Sequence, residues 1–302
     1  MLLALAGSFF WILISRIISG IGAGSVGTAQ SYVADVTRKS QREQAYAIYG
    51  AVFGAAFIVG PAMAGFLQRR GLQFPFFFAV LLELLDIGLT LWLLPNQSRM
   101  RHRETTIRES ALAAWRPLIR RVLVRQFLFV FAVVYLLADF ALYLHHWLRL
   151  DTADVSWLLA ITGVIGGVTM VLGVAPATRR FGDRQVAQFG LTLLFIAYVL
   201  IYFVRNLMWF FPVLVLWAIG ATMVEPTLMA MLSRRAPSEE RGAIMGVSDG
   251  VNSAALILAP AIGTAIVGYD ARLIGMLPAL AVAMAWVIGR KPIEPRAAHR
   301  LH

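Results

Sequence analysis

Nine apolar runs leave this chain few ways to fold. They cover residues 9–34, 45–67, 74–94, 122–147, 154–177, 185–204, 208–232, 242–268 and 272–289. About 20 apolar residues suffice to cross the hydrocarbon of a bilayer as a helix. Within it every backbone N–H and C=O must be paired inside the protein. The sequence therefore predicts an all-α, polytopic membrane protein of about nine transmembrane helices. Composition agrees: 59% of residues are hydrophobic, 14% are charged, and the mean hydropathy is +0.73. Those values lie outside the soluble globular range. The chain has no cysteine, which removes disulfides, thiolate metal ligands and a cysteine nucleophile. No basic leader or small-residue cleavage site marks the apolar start as a removable signal peptide. Residues 1–8 read as the tail of a further helix.

The net charge of +11 would suggest nucleic acid in a soluble protein. Here the basic residues sit in short clusters between the apolar runs, and they alternate. Loops holding Arg38, Arg116, Arg180, Arg235 and their neighbours, with the C-terminal tail, carry twenty-one of them. The opposite loops carry five: Arg69, Arg70, Arg149, Arg205 and Arg272. Basic loops stay in the cytoplasm, so the C-terminus is expected there, with residue 1 near the outer surface. The expected location is the cell membrane, multi-pass. Residues 95–121 form the longest polar stretch and read as a cytoplasmic linker on anionic headgroups. They divide a partial N-terminal half, 1–94, from a six-helix half, 122–302. No aromatic interleaving or binding motif supports a nucleic-acid partner.

The chain repeats itself. Adding 199 to a position in the first copy carries Arg42 onto Arg241, Val52 onto Val251, Ala55 onto Ala254, Ile58 onto Ile257 and Pro61 onto Pro260. A gapless register from a charged turn to a proline indicates a parallel repeat of about 200 residues, as in two-halved secondary transporters. Roughly 100 residues of the first repeat have no counterpart in the chain, so a truncated first half is expected. Small residues run along one face of the first copy, Gly50, Gly54, Pro61 and Gly65, and Gly60 opens the Gly-Pro break that ends it. Such a face lets helices approach closely in lipid.

These stretches resemble the major facilitator superfamily, and within it the drug/proton antiporters of the tetracycline-efflux type. Arg16 in SRIISGIGAG looks like that family's fourth-helix arginine motif. GAVFGAAFIVGPAMAG, residues 50–65, looks like its fifth-helix antiporter signature. Residues 233–264 look like the connection from the tenth to the eleventh helix. The resemblance starts at the end of the family's third helix. It implies an incomplete fold, three helices of the first half plus six of the second. The family's glycine-aspartate-arginine loop between helices two and three is not present. Its echo in the second half, ATRRFGDR, keeps Arg180, Gly182 and Arg184 but has Arg179 where aspartate is usual. The resemblance also implies a central cavity lined from both halves, one wall of which the missing helices would form.

A charge at mid-membrane costs at least about 2.5–3.5 kcal/mol on insertion scales, so each one needs a reason. Arg16 either faces the cavity, holding a carboxylate or water, or snorkels to the outer interface. Asp139 lies in mid-span without a basic residue at i±4. A carboxylate in low dielectric favours its neutral form, so Asp139 is either a proton or substrate site or a neutral hydrogen-bonded group. Glu225 precedes Pro226, whose ring breaks the helical hydrogen bonding. It reads as a cavity carboxylate or as a partner of the broken turn. Asp249 and Asn252 share a helix face and divide between the same roles. Glu83 and Asp86 read as an interhelical polar contact. Asp35, beside Arg42, resembles the family's gating carboxylate, whose partner loop is not present. His145 and His146 diverge by about 100° on a helix and read as interfacial residues, without metal.

The chemistry these residues favour is transport. A membrane enzyme would need a nucleophile–base pair or a metal set, and neither HExxH nor CxxC occurs. The expectation is a secondary active transporter, proton-coupled, exporting small hydrophobic compounds or drugs by alternating access. No cofactor is expected, and the partners are a small-molecule substrate, protons and the lipid bilayer. The alternatives are a transport-inactive remnant or an exporter of another small metabolite.

Overall fold

A computed structural model describes residues 63–71, 73–93, 116–235, 241–267 and 274–290, with isolated positions between 8 and 60. Two compact units emerge, one of residues 1–104 with 151–163, the other of 105–150 with 164–302. In the first, a 3₁₀ turn, Gln68–Arg70, precedes helix α1, Phe74–Leu93. No residue of α1 is buried. A helix apolar on every side suits lipid. Gly65 packs on Ser156, whose hydroxyl accepts a hydrogen bond from Gln68 Nε2 at 3.2 Å.

The second unit holds most of the core. Its helices are α2, Pro117–Leu148; the end of α3, Thr152–Val168, which belongs to the first unit as far as Gly163; α4, Ala175–Phe181; α5, Asp183–Ile201; α6, Leu207–Arg235; α7, Arg241–Val267; and α8, Met276–Arg290. A π-helical segment, Thr169–Val174, joins α3 to α4 without a break. Pro176 follows it and lacks the N–H that an α-helix needs there; one wider turn absorbs that loss. Among the described residues six helices are long and apolar enough to cross a membrane, and α8 is a shorter apolar helix. The apolar runs 9–34 and 45–67 lie mostly outside the described residues. The expected linker ends earlier than its polar composition suggests, because Pro117 already stands in the first turn of α2. Proline is preorganised for that position.

Helix α2 is central, packing on α6, α7 and α8, while α5 packs on α6 and α8. Tyr198 ties three helices together: its hydroxyl donates to the Ala132 carbonyl at 2.8 Å and accepts from Trp217 Nε1 at 3.0 Å. Helices α5 and α6 cross backbone to backbone at Gly190 and Gly220. A Cβ at Gly190 would lie 2.9 Å from the Gly220 carbonyl oxygen. Gly182 turns the chain between α4 and α5 at φ +79°, a conformation that favours glycine. That is the glycine of ATRRFGDR.

Candidate functional site

The polar groups of the second unit gather where α2 meets α7. Helix α7 presents a stripe of Ser248, Asn252, Ala255, Ala259 and Gly263, spaced at three and four residues and so on one face. Gln126 of α2 is buried and reads the polar end of that stripe. Its Nε2 donates to Ser248 Oγ at 2.7 Å and to Asn252 Oδ1 at 2.9 Å, and Ser248 Oγ lies 3.0 Å from its Oε1. Farther along, Asp139 lies against Gly263. A Cβ there would collide with Asp139 Oδ2 and lie 3.4 Å from the Tyr135 ring. Asp139 is 3% exposed. The two helices run in the same direction, and about 20 Å of helix separates Gln126 from Asp139. The small residues of α7 are therefore what admits the Asp139 carboxylate into this contact.

Glu225 stands on a third helix. On α6 it belongs to the stripe Thr222, Glu225 and Met229, and both of its stripe neighbours touch other helices. Thr222 Oγ1 abuts Gly166 of α3, and Met229 Sδ lies 3.8 Å from Ser248 Oγ. Glu225 itself is solvent-accessible, although Val224, Thr227 and Leu228 beside it are buried. Glu225 therefore lies between the α3 and α7 contacts of its helix face. Pro226 and Pro212 both lie within α6, and Thr227 Oγ1 donates to the Met223 carbonyl at 2.9 Å in the turn that Pro226 disturbs.

The structure divides the expected Asp249–Asn252 pair. Asn252 joins the Gln126 ladder, whereas Asp249 is exposed, its carbonyl accepting from Ser253 Oγ at 2.9 Å. Glu83 and Asp86 are exposed on α1, and no helix contact holds them among the described residues. His145 Nδ1 lies 3.1 Å from the Leu150 carbonyl oxygen at the end of α2. Arg16, Asp35, Arg42, Gly50, Gly54 and Pro61 lie outside the described residues. Gly60 has no described atom within 4 Å of an added Cβ. Among the described residues no cluster of three metal-ligating side chains occurs.

Three participants carry no charge and escape a reading that looks for charges: Gln126, Ser248 and Thr222. A glutamine in an apolar run was the available signal. One motif runs against the expectation that the chain holds no enzyme signature, G-x-S-x-G included. Gly246 to Gly250 reads G-x-S-x-G, the pattern of a hydrolase nucleophile elbow. That elbow needs a strand-to-helix turn; here the run lies inside a continuous helix and its serine is bonded to Gln126.

The comparisons with known proteins agree with this architecture. The sequence profile of the Major Facilitator Superfamily matches residues 1–148 and 136–301. The chain is 27% identical over 286 residues to the class C tetracycline resistance protein of Escherichia coli, covering 92% of this chain and 70% of that one. It is 24% identical over 262 residues to multidrug resistance protein 2 of Bacillus subtilis (strain 168), covering 82% of this chain and 64% of that one. Among solved structures, the human organic anion transporter MFSD10 (TETRAN) matches with a TM-score of 0.70 and 21% identity, over 96% of this chain and 73% of that one. A bacterial homologue of the iron transporter ferroportin, in its inward-facing state, matches at 0.63 and 17%, over 86% and 65%. Those likenesses concern the fold alone. With the profile running from residue 1 to residue 301, this multi-pass membrane chain belongs to the Major Facilitator Superfamily, a family of transporters, and it resembles the drug-resistance members.

Proposed function

We propose that the protein is a proton-coupled exporter of small hydrophobic compounds working by alternating access, with Asp139 and Glu225 as its proton carriers. The observation that carries this reading is the setting of Asp139, a carboxylate admitted between α2 and α7 by the missing side chain of Gly263. A carboxylate of this kind changes charge when its surroundings change from wet to dry. Helix rearrangement and proton transfer are thereby linked. Glu225, accessible beside two helix contacts, takes the second position. Arg16 adjusts the charge of a neighbouring carboxylate, Asp35 and Arg42 act in the gate, and Asp249 stands as a reserve proton site. The small-residue face of Gly50, Gly54, Gly60, Pro61 and Gly65 packs the moving helices. The halves are 1–94 and 117–302, joined by 95–116.

Relatives described as tetracycline and multidrug resistance proteins support hydrophobic drugs as the substrate class. The chain spans 64–70% of the length of these two relatives. A second reading is a membrane protein that binds substrate without pumping it. Proteoliposomes holding the purified chain and an imposed pH gradient separate the two. We expect tetracycline or ethidium flux that stops when the gradient is collapsed. Asp139→Asn should remove the uphill part while leaving binding. Binding with no gradient-dependent flux would establish the second reading and refute the first.

A further inference from the structure

At the end of the second bundle where α2 and α5 begin and α6 and α8 finish, three arginines come together. Arg125 of α2 is 2% exposed, and its Nε donates to the Ala285 carbonyl at 3.2 Å. Arg184 of α5 donates through Nε to the Gly289 carbonyl at 3.1 Å and through Nη2 to the Arg290 carbonyl at 2.7 Å. Arg235 closes α6 and lies close enough to both for the like charges to act on one another. Gly289 leaves the room that this needs, since a Cβ there would meet the Arg125 guanidinium and Gln188 Nε2.

Among the described residues the charges at this end do not balance. The carbonyl end of a helix supplies roughly −0.5 of a charge, against three guanidiniums. Asp183 is already bridged to Arg234 at 2.9 Å. Two donors are also left over. Arg125 Nη2 and Arg235 Nη1 are buried and have no hydrogen-bond partner. A buried, unsatisfied charged donor costs more than a neutral one, and guanidinium forks match tetrahedral oxyanions. Gln188 Oε1 is buried there without a donor too.

We infer that Arg125, Arg184 and Arg235 form a binding site for a phosphate-type oxyanion, supplied by an anionic lipid headgroup or by soluble phosphate. The last turns of membrane helices lie at headgroup depth, where a phosphoglycerol group brings oxyanions for the arginines and a hydroxyl for Gln188. Bound there, it ties the ends of four helices together. The site is separate from the transport reading and needs only that the bundle be folded.

Thermal unfolding of the purified chain in detergent tests this, with titrations of phosphatidylglycerol, phosphatidylcholine and inorganic phosphate. Phosphatidylglycerol should raise the midpoint saturably, and phosphatidylcholine should not. Saturation by inorganic phosphate at comparable concentrations would identify the soluble source. Arg125→Gln and Arg235→Gln should each weaken the effect about tenfold, the scale of one charge-assisted contact. Arg234→Gln, whose side chain is paired with Asp183, should leave it unchanged. Should Arg125→Gln not fold, Arg235→Gln carries the test, because Nη1 of Arg235 holds no internal partner. No saturable shift with either anion, or a shift kept in the Arg125→Gln/Arg235→Gln double variant, would overturn the site. Binding that emerges only after Glu239→Gln/Glu240→Gln would mean that the chain's own carboxylates fill it, and would overturn it equally.

Discussion

At Asp139 the carboxylate rests on the Cα of Gly263, so the two positions must be read as one. Gly263→Ala forces a methyl group into the carboxylate and should destabilise the protein by about 1–3 kcal/mol, the usual scale of overpacking. In an Asp139→Ala background the same methyl has room. Thermal melts of the four proteins in that cycle should give a coupling of at least about 0.5 kcal/mol. Additive losses would mean that the contact is absent. Tyr198→Phe removes a hydroxyl that donates to one helix and accepts from another. It should lose about 1 kcal/mol or more, read as a lower melting midpoint without loss of helix content. Asp139 and Glu225 were legible in the sequence because a charge in an apolar run is a departure in kind. Gln126, Ser248 and Thr222 were not, because neutral polar residues are common in such runs and only tertiary packing shows which face meets a neighbour. For Asp249 and Asn252 the spacing gives a shared face, but only the contact with Gln126 shows that Asn252 is the member engaged there.

Helices show the converse. Their extents were largely readable from hydropathy, since α1, α6 and α7 begin and end within about three residues of the apolar runs, the ordinary margin of such assignments. Proline and glycine did the rest, with Pro117 opening α2 and Gly182 turning α4 into α5. The π-helical segment at Thr169–Val174 was not readable, because a single wider turn leaves no trace in hydropathy. The glycine stripe at residues 50–65 drew attention to packing in the first repeat. The described backbone-to-backbone crossing is instead between α5 and α6, at Gly190 and Gly220. Each of those glycines stands alone in its helix face, so no stripe advertised them. Gly190→Val should push α5 from α6 and lower stability by about 1–3 kcal/mol, whereas Gly246→Ala, with open space around it, should not. Equal melting midpoints for the two variants would contradict the crossing.

For the whole molecule, the 199-residue register and the basic asymmetry between loops were the informative signals, because both are sums over many residues and tolerate local noise. The asymmetry leads us to expect a cytoplasmic C-terminus: a fluorescent reporter that matures only in the cytoplasm should light up when fused after His302, and a well-expressed dark fusion would contradict the orientation. The substrate was not legible, since a hydrophobic cavity encodes its ligands loosely. We propose that the carboxylates set among α2, α6 and α7 exchange protons for drug. Proton release on drug binding tests it most directly. Binding that displaces protons must acidify a weakly buffered solution. Adding tetracycline to the purified chain should produce that acidification, and the Asp139→Asn/Glu225→Gln double variant should bind the drug without it. Acidification of equal size in the double variant would contradict the account.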